Sequence, residues 1–310
     1  MSELKKLRVI EVPYCYNKWR VDPNCEPYKI TAEIKRFIGP RDVDLYHKEN
    51  LYSKANVPYA VDEIDHNDRN EMNPCFSLCR SISDIVCNSN ENGESVLIAN
   101  GYCLFAPAIA GGVQRAAGEN KTIGVVWIDA HADNMVIEES MEETRFVGLP
   151  VSGMLGQTYE YWRKDICGLK KPIEGAHLLI GDTRANEGEM DHTMEKAGVI
   201  HVSHDQFACC NIWQKKVNDF AKDVDAIYLS VDVDILNKKY IPAYEKEVEN
   251  GHDIETVMQN IHAVMNTGKV NAFSMFCLDF DHYEHGGKET YRNGMKLISS
   301  GLEAWKNTAL

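Results

Sequence analysis

No stretch of the chain approaches the about 20 consecutive apolar residues that a helix needs to cross a bilayer, which excludes a transmembrane helix. Basic charge is also short: 33 Lys+Arg stand against 47 Asp+Glu, a formal net charge of −14 over 310 residues. The densest basic stretches, Lys5–Lys6 with Arg8 and Lys238–Lys239, are brief and flanked by acid. Nucleic acid and anionic membranes are held by basic stripes, so neither is expected as a partner. There is no low-complexity tract, and with 44% apolar residues the composition is that of a folded globular chain. Cysteine is not scarce at ten, but no CxxC spacing occurs: Cys75 and Cys79 are four apart, and Cys209 and Cys210 adjacent. That excludes a zinc knuckle. With no apolar leader at the start, the expectation is a reduced, cytoplasmic protein whose cysteines are mostly small buried hydrophobes.

What the sequence does have is rhythm. Short apolar runs at Leu7–Val12, Val96–Ala99, Ile123–Ile128, His177–Ile180, Val199–Val202, Ala226–Val231 and Val270–Met275 read as buried strands. Between several of them lie segments of helical length: Asn73–Cys87, Ala108–Ala117, Val151–Lys164, Glu187–Ala197, Ile212–Ala221, Asp253–Met265 and Thr290–Trp305. This alternation predicts an α/β fold with a mainly parallel sheet covered by helices on both faces. The length allows one domain or two. No linker or shift in composition interrupts the pattern, so residues 1–310 are expected to form a single domain, with Tyr14–Pro27 an irregular loop.

Ligand chemistry in such sheets gathers at the carboxyl ends of the strands. Two groups stand there. Asp129, His131 and Asp133 follow the run Ile123–Ile128 on alternate residues, and Asp232 and Asp234 follow Ala226–Val231 in the same way. Alternate side chains of an extended segment point one way, so each group can converge. Four carboxylates and an imidazole at neighbouring strand ends would repel one another without a cation between them. Carboxylates with imidazole suit Mn²⁺ or a related ion, and the absence of thiolate neighbours in the sequence argues against structural zinc.

The segment Val126–Asp133 resembles the DAHxD motif of the ureohydrolases, which include arginase, agmatinase and formiminoglutamase, and Leu229–Asp234 resembles their SxDxD motif. Pro242-Ala243 is similar to a further dipeptide of that family. The resemblance implies the three-layer arginase-like α/β fold, a hydrolase activity, two Mn²⁺ per chain and a homo-oligomer. It implies that Asp129 and Asp232 bridge the metals, that Asp133 completes one site, and that His131 with Asp234 completes the other. Asp133 would also orient the attacking water.

Departures from the family pattern bear on substrate and metal count. Tyr102 stands where the family has a ligating histidine, with Leu104, Ile109 and Gly111 keeping the register, so either its phenolate coordinates or only one metal binds. Val147 occupies the place of a proton-shuttling histidine, Met135 that of an asparagine holding the α-carboxylate of arginine, and Arg184 that of an acid reading its α-amino group. For the glutamate that pairs with the guanidinium, Asp279 is favoured over Cys277 because a cationic group needs a carboxylate. His282 and His285 follow, and one of them, His282 being the nearer, could replace the missing shuttle.

The expected activity is therefore Mn²⁺-dependent, urea-releasing cleavage of a guanidino or amidine C–N bond. The expected partner is a cationic guanidino molecule other than free arginine: agmatine, a guanidino acid or an arginyl peptide. The alternative is an arginase-fold protein with one metal or none that binds or regulates.

Overall fold

Strands that are apolar on both sides need a sheet covered on both faces. Among the described residues, Ile123–Asp129, Ala226–Asp232 and Val270–Phe276 are buried at every position. The structure, a computed structural model, describes residues 5–12, 20–22, 29–31, 42–65, 73–137, 144–186, 190–242, 248–278 and 287–306. In chain order its strands are β1 (Leu7–Glu11), β2 (Arg20–Asp22), β3 (Lys29–Thr31), β4 (Tyr59–Glu63), β5 (Ser95–Ala99), β6 (Ile123–Asp129), β7 (Thr144–Arg145), β8 (Leu178–Asp182), β9 (Ile200–Val202), β10 (Ala226–Asp232) and β11 (Val270–Phe276).

Eight of these form one sheet in the order β4-β1-β5-β11-β10-β6-β8-β9, parallel at every pairing. The chain leaves β5, skips two places to lay down β6, runs outward through β8 and β9, and returns to fill the gap with β10 and β11. Ends of strands far apart in sequence, β5, β11, β10 and β6, thereby stand side by side at the centre. Helices Pro74–Glu91 and Ala106–Ala117 pack on each other in one layer, while Cys210–Phe220, Ile254–Met265 and Gly287–Ala304 pack in series in another. The fold is the three-layer α/β arrangement expected from the sequence.

Helix Pro74–Glu91 starts where the sequence predicts. The Asn73 side chain accepts the Cys75 N–H at 2.9 Å, and Pro74 takes a first-turn position where no amide hydrogen is needed. Three expectations need correction. The segment 151–164 is not one helix: Pro150–Met154 is helical, Gly156 then takes φ +73° and Tyr159 φ +42°, and a π-helical turn follows at Trp162–Ile166. A glycine in the left-handed region ends a helix at little cost, and the apolar spacing of that segment does not reveal it. Within Tyr14–Pro27, Arg20–Asp22 is a strand, pairing antiparallel with β3 and β7; the other residues of that segment lie outside the described ones. β4 gave no apolar run because it is an edge strand, exposed or half-buried throughout.

Close helix contact depends on Gly111, where a Cβ would stand 2.0 Å from the Cys167 carbonyl oxygen. Gly111→Ala gains about 1 kcal/mol of helix propensity. A rigid backbone oxygen cannot move aside, and overpacking costs about 1–3 kcal/mol, at the upper end here. The expected outcome is a net loss of about 2 kcal/mol in urea denaturation, and an unchanged or raised midpoint would contradict it.

Candidate metal centre

β6 and β10 are neighbours in register, Ile128 beside Val231, so the acids just past them meet. Each motif folds back on its own amide. The Asp129 carboxylate accepts the His131 N–H at 2.6 Å, and the Asp232 carboxylate accepts the Asp234 N–H at 3.1 Å. A third bond ties the two motifs together, from the Ala130 N–H to Asp234 Oδ1 at 3.1 Å. His131 Nδ1 then lies 2.9 Å from Asp234 Oδ2 and 3.5 Å from Asp129 Oδ1. One ligand atom from each of Asp129, His131 and Asp234 falls within 4.8 Å of the others. Asp133 completes the loop in the left-handed region, φ +46°, its carbonyl accepting the Val151 N–H at 2.9 Å.

The electrostatics call for positive charge. Burial raises Asp129 and Asp232 well above the ordinary carboxylate range, and neighbouring carboxylates, Asp234 foremost and Asp133 among them, raise them further. Burial alone would lower His131, but its hydrogen bonds to Asp129 and Asp234 push it up to about 12. The imidazolium in turn holds Asp234 low despite burial.

A second group corrects the sequence reading. Cys103, at the start of the short helical turn after β5, and Cys277, just past β11, bring their sulfurs within 4.8 Å of each other and of an Asp232 oxygen. Thiols do neighbour the acid cluster, and these two cysteines are not ordinary core hydrophobes. The signal was faint: Cys277 ends an apolar run, and Cys103 follows Tyr102. Tyr102 itself is half-buried and packs against the hydrophobic core. The Val147 carbonyl accepts from Cys103 Sγ at 3.4 Å, so the position where the resemblance implies a shuttle carries valine beside the site. Met135 is half-buried, its amide bonded to the Gly148 carbonyl at 2.8 Å. Asp279, His282 and His285 lie outside the described residues.

A third group was missed by sequence reasoning. Asp182, at the end of β8 with φ +85°, is ion-paired with Arg184 and receives His204 Nδ1 at 3.1 Å and His252 Nε2 at 3.2 Å. Two further Arg184 donors go to the Glu249 carbonyl at 2.9 Å and the Asp234 carbonyl at 2.7 Å. Its side chain is only 8% exposed and clasps the loop of Asp234 to Asp182. Burial would raise Asp182, but the His252 hydrogen bond and the Arg184 charge outweigh it and hold the carboxyl low.

Breaking a buried ion pair from one side costs about 3–5 kcal/mol. Because both imidazoles would still face Asp182, Arg184→Gln is expected at the lower end, about 3 kcal/mol, in urea denaturation. A carboxyl with a lowered folded pKa contributes stability that is complete above its unfolded value of about 3.9 and is lost as pH falls through the folded one. Asp182→Asn should therefore flatten the acid limb of stability below about pH 4, and an unaltered limb would exclude this role.

The sequence matches the arginase family over residues 5–302. It is 23% identical to the arginase of Emericella nidulans across 97% of this chain and 95% of that one. It is 25% identical to the arginase of Neurospora crassa across 86% and 74%. Among solved structures, Entamoeba histolytica arginase in complex with L-ornithine superposes with a TM-score of 0.79 at 18% identity, covering 97% and 99% of the two chains. Formimidoylglutamase from Bacillus subtilis superposes with a TM-score of 0.70 at 13% identity, covering 99% and 89%. With a match spanning nearly all of its length, at low identity to each relative, the chain belongs to the arginase family as a divergent member.

Proposed function

We propose that this arginase-family hydrolase depends on Mn²⁺ and cleaves a C–N bond of a guanidino or amidine compound other than free arginine. The observation that carries the reading is the Asp129–His131–Asp234 group set against Asp232, in which Asp129 Oδ2 is buried without a hydrogen-bond partner. A buried acceptor left so costs about 1–3 kcal/mol, which a coordinated cation would offset. The donor set, carboxylates and an imidazole, fits a divalent ion of the Mn²⁺ kind. Asp129, His131, Asp133, Asp232 and Asp234 would hold it. Once bound, such ions supply Lewis-acid activation of a water for attack on the carbon between the nitrogens.

The chain's own residues do the rest. Asp133, whose backbone is fixed in a left-handed turn, is the proposed acceptor of a hydrogen bond from the attacking water, which would orient it. Asp279 is the proposed carboxylate for the guanidinium, and His282 the proposed donor of a proton to the leaving amine. Against free arginine as substrate stand valine at 147, methionine at 135 and the commitment of Arg184 to Asp182. The acidic surface charge of the molecule favours a cationic substrate.

The test is a screen for release of urea, or of formamide in the case of formiminoglutamate, with Mn²⁺ present, across arginine, agmatine, guanidino acids, formiminoglutamate and arginyl peptides. Turnover of one of the others above that of free arginine is expected, and equal or greater turnover of arginine overturns the substrate assignment. Asp232→Ala should abolish both Mn²⁺ binding and turnover. Mn²⁺ binding without any turnover across the screen would favour the binding or regulatory alternative.

A further inference from the structure

We propose that Cys103, Asp232 and Cys277 form a sulfur-bearing cation position beside the Asp129–His131–Asp234 group, one that takes a soft divalent ion of the Zn²⁺ class in preference to Mn²⁺. The inference rests on reading that neighbouring group as a cation site and changes the identity of the second ion.

Geometry comes first. The three ligand atoms lie within 4.8 Å of one another, and a tetrahedral ion with bonds of about 2.0–2.3 Å needs only a small inward movement to touch all three. All three residues are buried, at 4%, 4% and 7% exposed. They come from the ends of three adjacent strands, Cys103 after β5, Cys277 after β11 and Asp232 from β10, where the sheet order concentrates ligand chemistry. Asp232 is shared: its neighbour Asp234 belongs to the first group, so it stands between the two positions.

Backbone geometry adds an independent sign. Cys277 has φ +62°, in the left-handed region that residues other than glycine, asparagine and aspartate seldom occupy, at a cost on the order of 1–3 kcal/mol. Its amide is pinned to the Gly101 carbonyl at 2.9 Å, in the loop that carries Cys103. The strain sits where the two thiol-bearing loops join. It aims the Cys277 sulfur at the Asp232 carboxylate.

Chemistry selects the ion. As neutral groups the thiols make only weak hydrogen bonds, Cys277 to the Asp232 carboxylate and Cys103 to the Val147 carbonyl at 3.4 Å, whereas a cation would bind carboxylate and sulfur together, each thiol releasing its proton to solvent as it coordinates. Thiolate ligands select zinc, copper(I) or iron over Mn²⁺, so the two positions differ in softness. A second thiol cluster in the core makes the contrast. Cys75, Cys79 and Cys167 lie together beside Trp162, with no carboxylate among them.

The experiment uses the full chain, stripped of metal and kept in a non-thiol reductant, then titrated with Zn²⁺ and, separately, Co²⁺. Zinc X-ray absorption should show a sulfur shell at about 2.3 Å, and Co²⁺ should give a sulfur-to-cobalt charge-transfer band in the near ultraviolet. Cys103→Ser and Cys277→Ser should each cut that band by about half, the double variant should lose it, and Asp234→Asn should keep it. An oxygen-and-nitrogen shell alone, or a band that survives in the double variant, overturns the proposal. If the serine variants do not fold, the wild-type sulfur shell and its loss in Asp232→Asn decide the question. A sulfur shell with no turnover of any compound in the screen would leave this proposal standing and remove the hydrolase reading. Urea release with two Mn²⁺ bound and no sulfur shell would do the reverse.

Discussion

The site depends on one uncomfortable fact: several carboxylates are buried together at the ends of the neighbouring strands β6 and β10. Asp129, Asp232 and Asp234 are each at most 4% exposed, and burial with mutual repulsion would drive the first two to the neutral form. The molecule surrounds them with whatever positive charge and donors it has. His131 stands as an imidazolium between Asp129 and Asp234, and the amides of Ala130, His131 and Asp234 each donate to a carboxylate. Such an arrangement is relieved either by protonation of the raised acids or by a bound cation, which is why the proposed metal site rests on the electrostatics as well as on the motifs.

The same constraint explains the clasp behind the site. Loops that carry like charges tend to spring apart, and the loop of Asp234 is held from behind by Arg184, whose guanidinium bonds the Asp234 carbonyl while neutralising Asp182. The histidines of that knot, His204 and His252, stack at 4.2 Å and meet the same carboxylate. Positioning of the metal loops is thus spread over β6, β8 and β10. A change remote from the ligands can therefore alter the site by letting one loop move.

Legibility in the sequence tracked the range of the interaction. Asp129 and His131 could be recognised because they stand two apart at one strand end; Asp133 does not keep that alternation, since the strand ends at Asp129 and Asp133 turns left-handed, and the group closes on Asp234 instead. The strands of the sheet interior were legible for a similar reason, since burial on both faces leaves an unbroken apolar run, as in β6, β10 and β11. β4 was not, because an edge strand needs no such run. The break at Gly156 was also hidden, because it depends on a backbone angle rather than on an apolar period. Cys103 looked like a small core hydrophobe and Cys277 was the second choice for the guanidinium position, and nothing near either in sequence says that the two meet at Asp232.

By itself, then, the sequence determined the α/β class, the acidic pocket and the family to which its motifs point, because each is written in residue types at short spacing. Only the tertiary structure decided which strand ends stand together, that Arg184 is committed to Asp182, and that two thiols share Asp232 with the acid cluster. The reason is topological. β10 and β11 enter the gap between β5 and β6 after the chain has left it and returned, and that insertion creates neighbours that no local pattern encodes.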